Sequence, residues 1–205
     1  NLVQFVTRGA RVLVIGGTAS GKTTLLSALA SGIPPQARVV KIEDPEEIWL
    51  EHPHVVTIEA RPAPPGASVP PYTIKDGVDD AMRMSPKWLI VGEVRKGDAA
   101  MALFRAQMSD HPGLSTFHAE GPEESVFRMG VIMYADLQVQ MSATKSIFAQ
   151  AVDLIVQQGF REGGADRRRV IIGVWQVERE LKDGEVQFVT LYQHGDATMK
   201  DFTRR

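Results

Sequence analysis

Nine consecutive residues, Gly16, Gly17, Thr18, Ala19, Ser20, Gly21, Lys22, Thr23 and Thr24, constrain this chain more than anything else in it. They satisfy the phosphate-loop pattern G-x-x-x-x-G-K-[ST], which average residue usage produces by chance in roughly one chain in a hundred of this size. The pattern also sits where its physics requires. An apolar, β-branched run, Arg11-Val-Leu-Val-Ile15, precedes it, and Lys22 to Ala30 reads as a helix stopped by Gly32 and Pro34-Pro35. Glycines let backbone N–H groups turn inward, and the positive end of the following helix faces the same point, so such a loop cradles phosphate oxygens. Lys22 is expected to reach the β- and γ-phosphates of a nucleoside triphosphate, and the Thr23 hydroxyl to ligate Mg²⁺. A glycine-rich structural turn is the competing reading.

Around the loop, strand and helix patterns alternate. Strands are predicted over 38–42, 54–58, 88–91 and 114–117. Helices are predicted from the capping box Thr73-Ile-Lys-Asp76 to about Met84, and over 98–108, 123–134 and 143–151. Residues 61–71 hold five prolines and read as a surface loop. The alternation implies an α/β fold, a mostly parallel sheet with helices on both faces. Residues 169–178 and 186–192 flank Asp183-Gly184 and add a C-terminal antiparallel hairpin. No interior linker or repeat divides the 205 residues, so one domain is expected.

Composition narrows the chemistry. The chain has no cysteine, which removes disulfides, cysteine-ligated zinc and thiol catalysis and fits a reducing compartment. Its 23 Lys+Arg against 25 Asp+Glu give a net charge of −2, unlike a dedicated duplex-DNA binder, and Arg167-Arg-Arg169 is the one basic cluster. No apolar run reaches the roughly 18 residues of a membrane-spanning helix, so no integral membrane segment is expected. Asn1 opens without an initiator Met or a charged leader, as a piece of a longer protein would.

Three acids and a histidine end predicted strands. Glu93 follows Trp88–Val91, and ligands of open α/β sheets bind beyond strand carboxyl ends, so it is placed to hold the Mg²⁺ shell and orient water. A solvated surface glutamate is the alternative. Glu43 and Asp44 close another strand, where they serve similarly or simply open a charged helix before Pro45. His118 ends the strand from Leu114, either sensing phosphate or held as a structural histidine near the core.

The order of these blocks resembles the secretion ATPase superfamily that powers type II and type IV secretion and pilus machines. Gly16–Thr24, Ile42-Glu-Asp44, Gly92-Glu-Val-Arg95 and Ser115-Thr-Phe-His-Ala119 are similar to its Walker A, Asp box, Walker B and His box. His54-Val-Val-Thr-Ile-Glu-Ala-Arg61 is most similar to the branch driving tight-adherence (Tad/Flp) pili, with conjugative type IV ATPases close behind. The resemblance covers residues 8–178. It implies a C-terminal RecA-like ATPase domain over 1–205, with the family's N-terminal domain absent from this chain. It further implies a P-loop NTPase core using ATP and Mg²⁺, assembled as a homohexamer. By position it assigns Glu93 to the Walker B glutamate and metal shell, Glu43 to the Asp-box acid, His118 to the His box, and Arg61 and Arg83 to family arginines that act across boundaries. Both arginines also read as solvated surface residues.

Departures from the family pattern carry their own expectations. Ala19 replaces a usual loop glycine, which requires a negative φ if it is to be tolerated without strain. Ser85 and Lys87 stand where arginine and aspartate are usual, and Asp110 where glycine is usual. The expected function is Mg²⁺-dependent ATP hydrolysis by a secretion or pilus motor. Such a motor would be cytoplasmic, peripheral to the inner face of the membrane, and engaged with an inner-membrane platform protein. Nucleic acid is not expected as a direct ligand. A nucleic-acid translocase with the same core and a non-hydrolysing scaffold are the alternatives.

Overall fold

The computed structural model describes residues 2–66, 68–160 and 168–202. Its frame is an eight-stranded sheet in the order β3-β2-β4-β5-β1-β6-β7-β8. The strands are β1 (Val12–Ile15), β2 (Val39–Glu43), β3 (Val55–Glu59), β4 (Trp88–Val91), β5 (Gly113–Phe117), β6 (Leu154–Phe160), β7 (Arg169–Val177) and β8 (Phe188–Gln193). Neighbours from β3 to β6 run parallel, and β7 and β8 are antiparallel. The α/β class, the parallel sheet and the terminal hairpin all agree with the expectation from sequence. Asp183 and Gly184 both have positive φ (53° and 78°), the backbone that lets a tight turn follow the sheet's twist.

Among the described residues six helices cover the sheet: α1 (Leu2–Thr7), α2 (Lys22–Ala30), α3 (Ile74–Ala81), α4 (Gly97–Met108), α5 (Pro122–Leu137) and α6 (Met141–Ala151). The period-2 alternation of each strand divides its apolar residues between two cores. Leu13, Ile15, Val40, Ile42, Leu89 and Val91 pack with α3, α4, α5 and α6 on one face. Val12, Val14, Val39, Trp88 and Ile90 pack with α1 and α2 on the other. Short strands buried on both faces explain the continuous apolar runs in the sequence. The α3 capping box forms as predicted: Thr73 Oγ1 accepts from the Asp76 N–H (3.2 Å) while Asp76 Oδ2 accepts from the Thr73 N–H (2.9 Å). A 3-10 turn, Met82–Met84, then ends the helix at the length the sequence suggested.

Two elements and a loop residue depart from the sequence reading. Helix α1 was not foreseen. Neither was strand β6, although it pairs with β1 from Val12↔Leu154 to Ile15↔Gln157. Ala19 has φ 59°, so the condition for an unstrained alanine is not met: the loop keeps the left-handed backbone of a glycine position and alanine bears the strain. Asp110 behaves the same way at φ 61°, with less strain because aspartate tolerates this region better than alanine.

Candidate active site

The loop connecting β1 to α2 lies at the carboxyl edge of the sheet, where a cavity of about 470 Å³ opens. Gly21, at φ 94°, leads directly into α2, whose first residue is Lys22. Lys22 Nζ donates to the carbonyls of Gly16 (3.1 Å) and Gly17 (3.0 Å), which keeps the ammonium at the loop's mouth. Burial pushes its pKa below the ordinary lysine range, while the charge of Glu93 works in the opposite direction. Thr18, Ala19, Gly21, Lys22, Thr23 and Thr24 all line the cavity, with Gly16, Gly17 and the buried Ser20 forming the loop behind them.

The opposite wall comes from strands one, two and three places away. Because β2, β4 and β5 are parallel and in register (Ile42↔Val91, Val91↔Ser115), their carboxyl ends bring Glu43, Glu93 and His118 to the same edge. Thr116 Oγ1 donates to the Gly92 carbonyl (2.6 Å) and ties the ends of β5 and β4 together. Glu93 remains 30% exposed, and Arg95 holds its Oε2 through Nε at 2.6 Å. His118 is half-buried and also lines an apolar groove with Phe127 and Val131 of α5, so it stands in the wall between the two spaces.

Glu43 is built differently. It is 1% exposed, and its Oε1 accepts from the backbone N–H groups of Glu47 (3.1 Å) and Ile48 (2.8 Å). Its Oε2 lies 2.8 Å from Lys41 Nζ, and that ammonium also donates to Glu46 Oε1 (2.6 Å) and the Ile48 carbonyl (2.8 Å). Burial alone would lower the pKa of Lys41, but hydrogen bonds to Glu43 and Glu46 outweigh it and the net direction is upward. Glu43 also packs under Gly92, where a Cβ would come within 3.0 Å of its Cγ. A carboxylate committed in this way braces the 44–48 turn, while its exposed neighbour Asp44 faces the cavity.

The two family arginines are not drawn into this cavity. Arg61 lines an adjoining space of about 500 Å³ that shares Asp44, Glu93 and Arg95 with the first. It is anchored there by backbone hydrogen bonds to Tyr72 (2.8 and 3.0 Å). Tyr72 donates to Asp80 (2.7 Å), and burial, then this bond, raises its pKa to about 12. Arg83 is exposed on the 3-10 turn and lines neither space. Sequence reasoning missed Arg169, which lines the main cavity from β7. Its signal was the basic cluster 167–169, of which Arg167 lies outside the described residues.

The sequence pattern of the Type II/IV secretion system protein family matches residues 3–181. This chain belongs to that family. It is similar to a Mycobacterium tuberculosis protein named for conjugal transfer, 33% identical over 200 residues, covering 98% of this chain and 54% of that protein. The Type IV secretion system protein PtlH of Bordetella pertussis is 32% identical over 180 residues, covering 83% and 51%. Among solved structures, the VirB11 ATPase of the Brucella suis type IV secretion system superposes with a TM-score of 0.75 at 26% identity, covering 85% of this chain and 50% of that one. The chain thus spans about half the length of these secretion-family relatives. Among the described residues, no helix is long and apolar enough to cross a membrane.

Proposed function

We propose that this chain is the C-terminal RecA-like ATPase domain, over residues 1–205, of a hexameric secretion or pilus motor. It hydrolyses ATP with Mg²⁺ in the cytoplasm, at the inner face of the membrane, and passes conformational work to a platform protein of a type II or IV machine. The observation that carries this reading is that Lys22 and Glu93 open on one cavity at the carboxyl edge of the sheet. Lys22 and the loop N–H groups bind the phosphates, and Ala19 and Ser20 set the curvature that aims those groups inward. The hydroxyl of Thr23 and the carboxylate of Glu93 are hard oxygen donors that line the same cavity from facing sides and fit Mg²⁺, which is usually bound through one or two protein oxygens plus substrate phosphate. When bound, the ion neutralises charge that develops on the transferred phosphoryl group.

Glu93 positions the attacking water and takes up its proton, and Arg95 steers that carboxylate. Glu43 acts through the turn it braces. His118, in the wall shared with the α5 groove, reports phosphate state to the subunit boundary, where Arg61 and Arg83 act. Arg169 of the basic cluster lines the same cavity as the phosphate loop, which favours this reading over a nucleic-acid channel. In a phosphate-release assay with ATP and Mg²⁺, Lys22→Ala is expected to lower turnover by about 10²–10³-fold or more. Retention of the wild-type rate would overturn the assignment.

A further inference from the structure

We infer that Arg169 is a nucleotide-binding residue that pairs with the α-phosphate, at the end of the nucleotide away from the bond that breaks. This rests on the reading of the phosphate loop given above and deepens it. The sheet order sets the direction in which a nucleotide lies. With β1 and its loop as the origin, β5, β4 and β2 extend to one side and carry Glu93 and Glu43. On the other side stand β6 and β7. A triphosphate seated on Lys22 with its terminal phosphoryl toward Glu93 therefore runs back toward β6 and β7, with the α-phosphate on that side.

Arg169 stands at that place. β7 is antiparallel to β6, and Arg169 is paired with Phe160, so the first residue of β7 lies at the same edge as the carboxyl ends of β1 and β6. The packing there is close. A Cβ on Gly16 would lie 2.2 Å from the Gln158 carbonyl oxygen, and one on Gly21 would lie 2.9 Å from Arg169 Cδ and 3.4 Å from its Nε. The guanidinium stem thus rests on the outer side of the glycine that precedes Lys22, where any larger residue would displace it.

Around the cavity, carboxylates stand at the β2 and β4 ends, with Arg95 paired to Glu93 there. Lys22 stands in the middle, and Arg169 is the cation on the β7 side. A planar guanidinium can give two parallel N–H groups to the non-bridging oxygens of one phosphate, a geometry that an ammonium lacks. Since the α-phosphate carries the same charge before and during cleavage of the terminal bond, this contact binds ground state and transition state alike. It should therefore act on affinity and leave the chemical step alone.

The test is calorimetric titration of the wild-type, Arg169→Ala and Arg169→Lys proteins with ATP, ADP and inorganic tripolyphosphate, beside steady-state turnover. Arg169→Ala is expected to weaken all three ligands by about tenfold, with Arg169→Lys between it and wild type and kcat within about twofold. Unchanged ATP and ADP affinities, a loss confined to the two nucleotides while tripolyphosphate binds normally, or a fall in kcat at constant affinity would each overturn the α-phosphate contact. Lys22→Ala is the control. If it binds ATP as well as wild type, the loop reading itself fails. If its binding is lost while Arg169→Ala matches wild type, this inference alone fails.

Discussion

The carboxyl ends of β2 and β4 are adjacent in the sheet and carry the same sequence signal, an apolar strand closing on a glutamate, yet they are constructed in opposite ways. At the β2 end, Glu43 is buried: its Oε1 accepts from two backbone N–H groups, and its Oε2 stands in an ion pair with the Lys41 ammonium. At the β4 end, Glu93 is partly exposed and paired with Arg95, a side chain 66% exposed that can swing away at little energetic cost. A carboxylate that must meet water needs the second arrangement, and one that must hold a turn needs the first. The difference separates a buried, paired acid from a partly exposed one where sequence position treats them as equals.

Breaking the locked end gives the largest stability effect. Lys41→Met leaves Glu43 buried without its cation and is expected to cost about 3–5 kcal/mol, seen as a fall in melting temperature of roughly 10 °C. Pairing it with Glu43→Gln should recover most of that loss, since removing both charges avoids the orphaned one. A single variant that melts like wild type would dissolve the contrast. The pH dependence sharpens it further. Because the folded pKa of Lys41 is raised, its contribution is complete below the ordinary lysine value of 10.5 and is lost as pH climbs through the higher folded value. The melting difference between wild type and Lys41→Met should therefore hold from pH 7 to about 10 and shrink above it.

At the open end the expected change is smaller. Arg95→Ala removes an exposed partner and should shift stability by no more than about 1 kcal/mol in a thermal melt. A drop as large as that of Lys41→Met would make the two ends alike. Smaller still is the loop between them: Ala19→Gly relieves a left-handed alanine and, after the added freedom of the unfolded chain, should raise stability by roughly 0.5–1 kcal/mol in denaturant titration. A destabilised Ala19→Gly protein would show that the loop is not strained at this position.

Much of the fold was legible because each parallel strand is a short apolar run followed by turn residues, as in Trp88–Val91 before Gly92. Strand β6 escaped because Leu154-Ile-Val156 passes into Gln157-Gln-Gly159 with no alternation, and its burial comes from lying beside β1. The site was legible as a set of motifs but not as a set of roles. The fate of Glu43 depends on Lys41 two residues before it, and nothing in a linear pattern shows that the 44–48 turn folds back to close the cage. Arg169 was visible as charge alone. Its place beside Gly21 depends on β6, the strand that was not read. The φ of Ala19, 59°, runs against alanine's own preference, so residue identity alone did not foretell it.

The proposed function makes the acid ending β4 matter more to the chemical step than to ATP affinity, which Lys22 and the loop supply, and Glu93→Gln tests this most directly. Glutamine keeps the shape and removes the charge. With ATP affinity and phosphate release measured on the same protein, the variant should bind within about threefold of wild type and release phosphate some 10²–10⁴ times more slowly. Turnover at the wild-type rate, or loss of ATP binding together with turnover, would contradict the account.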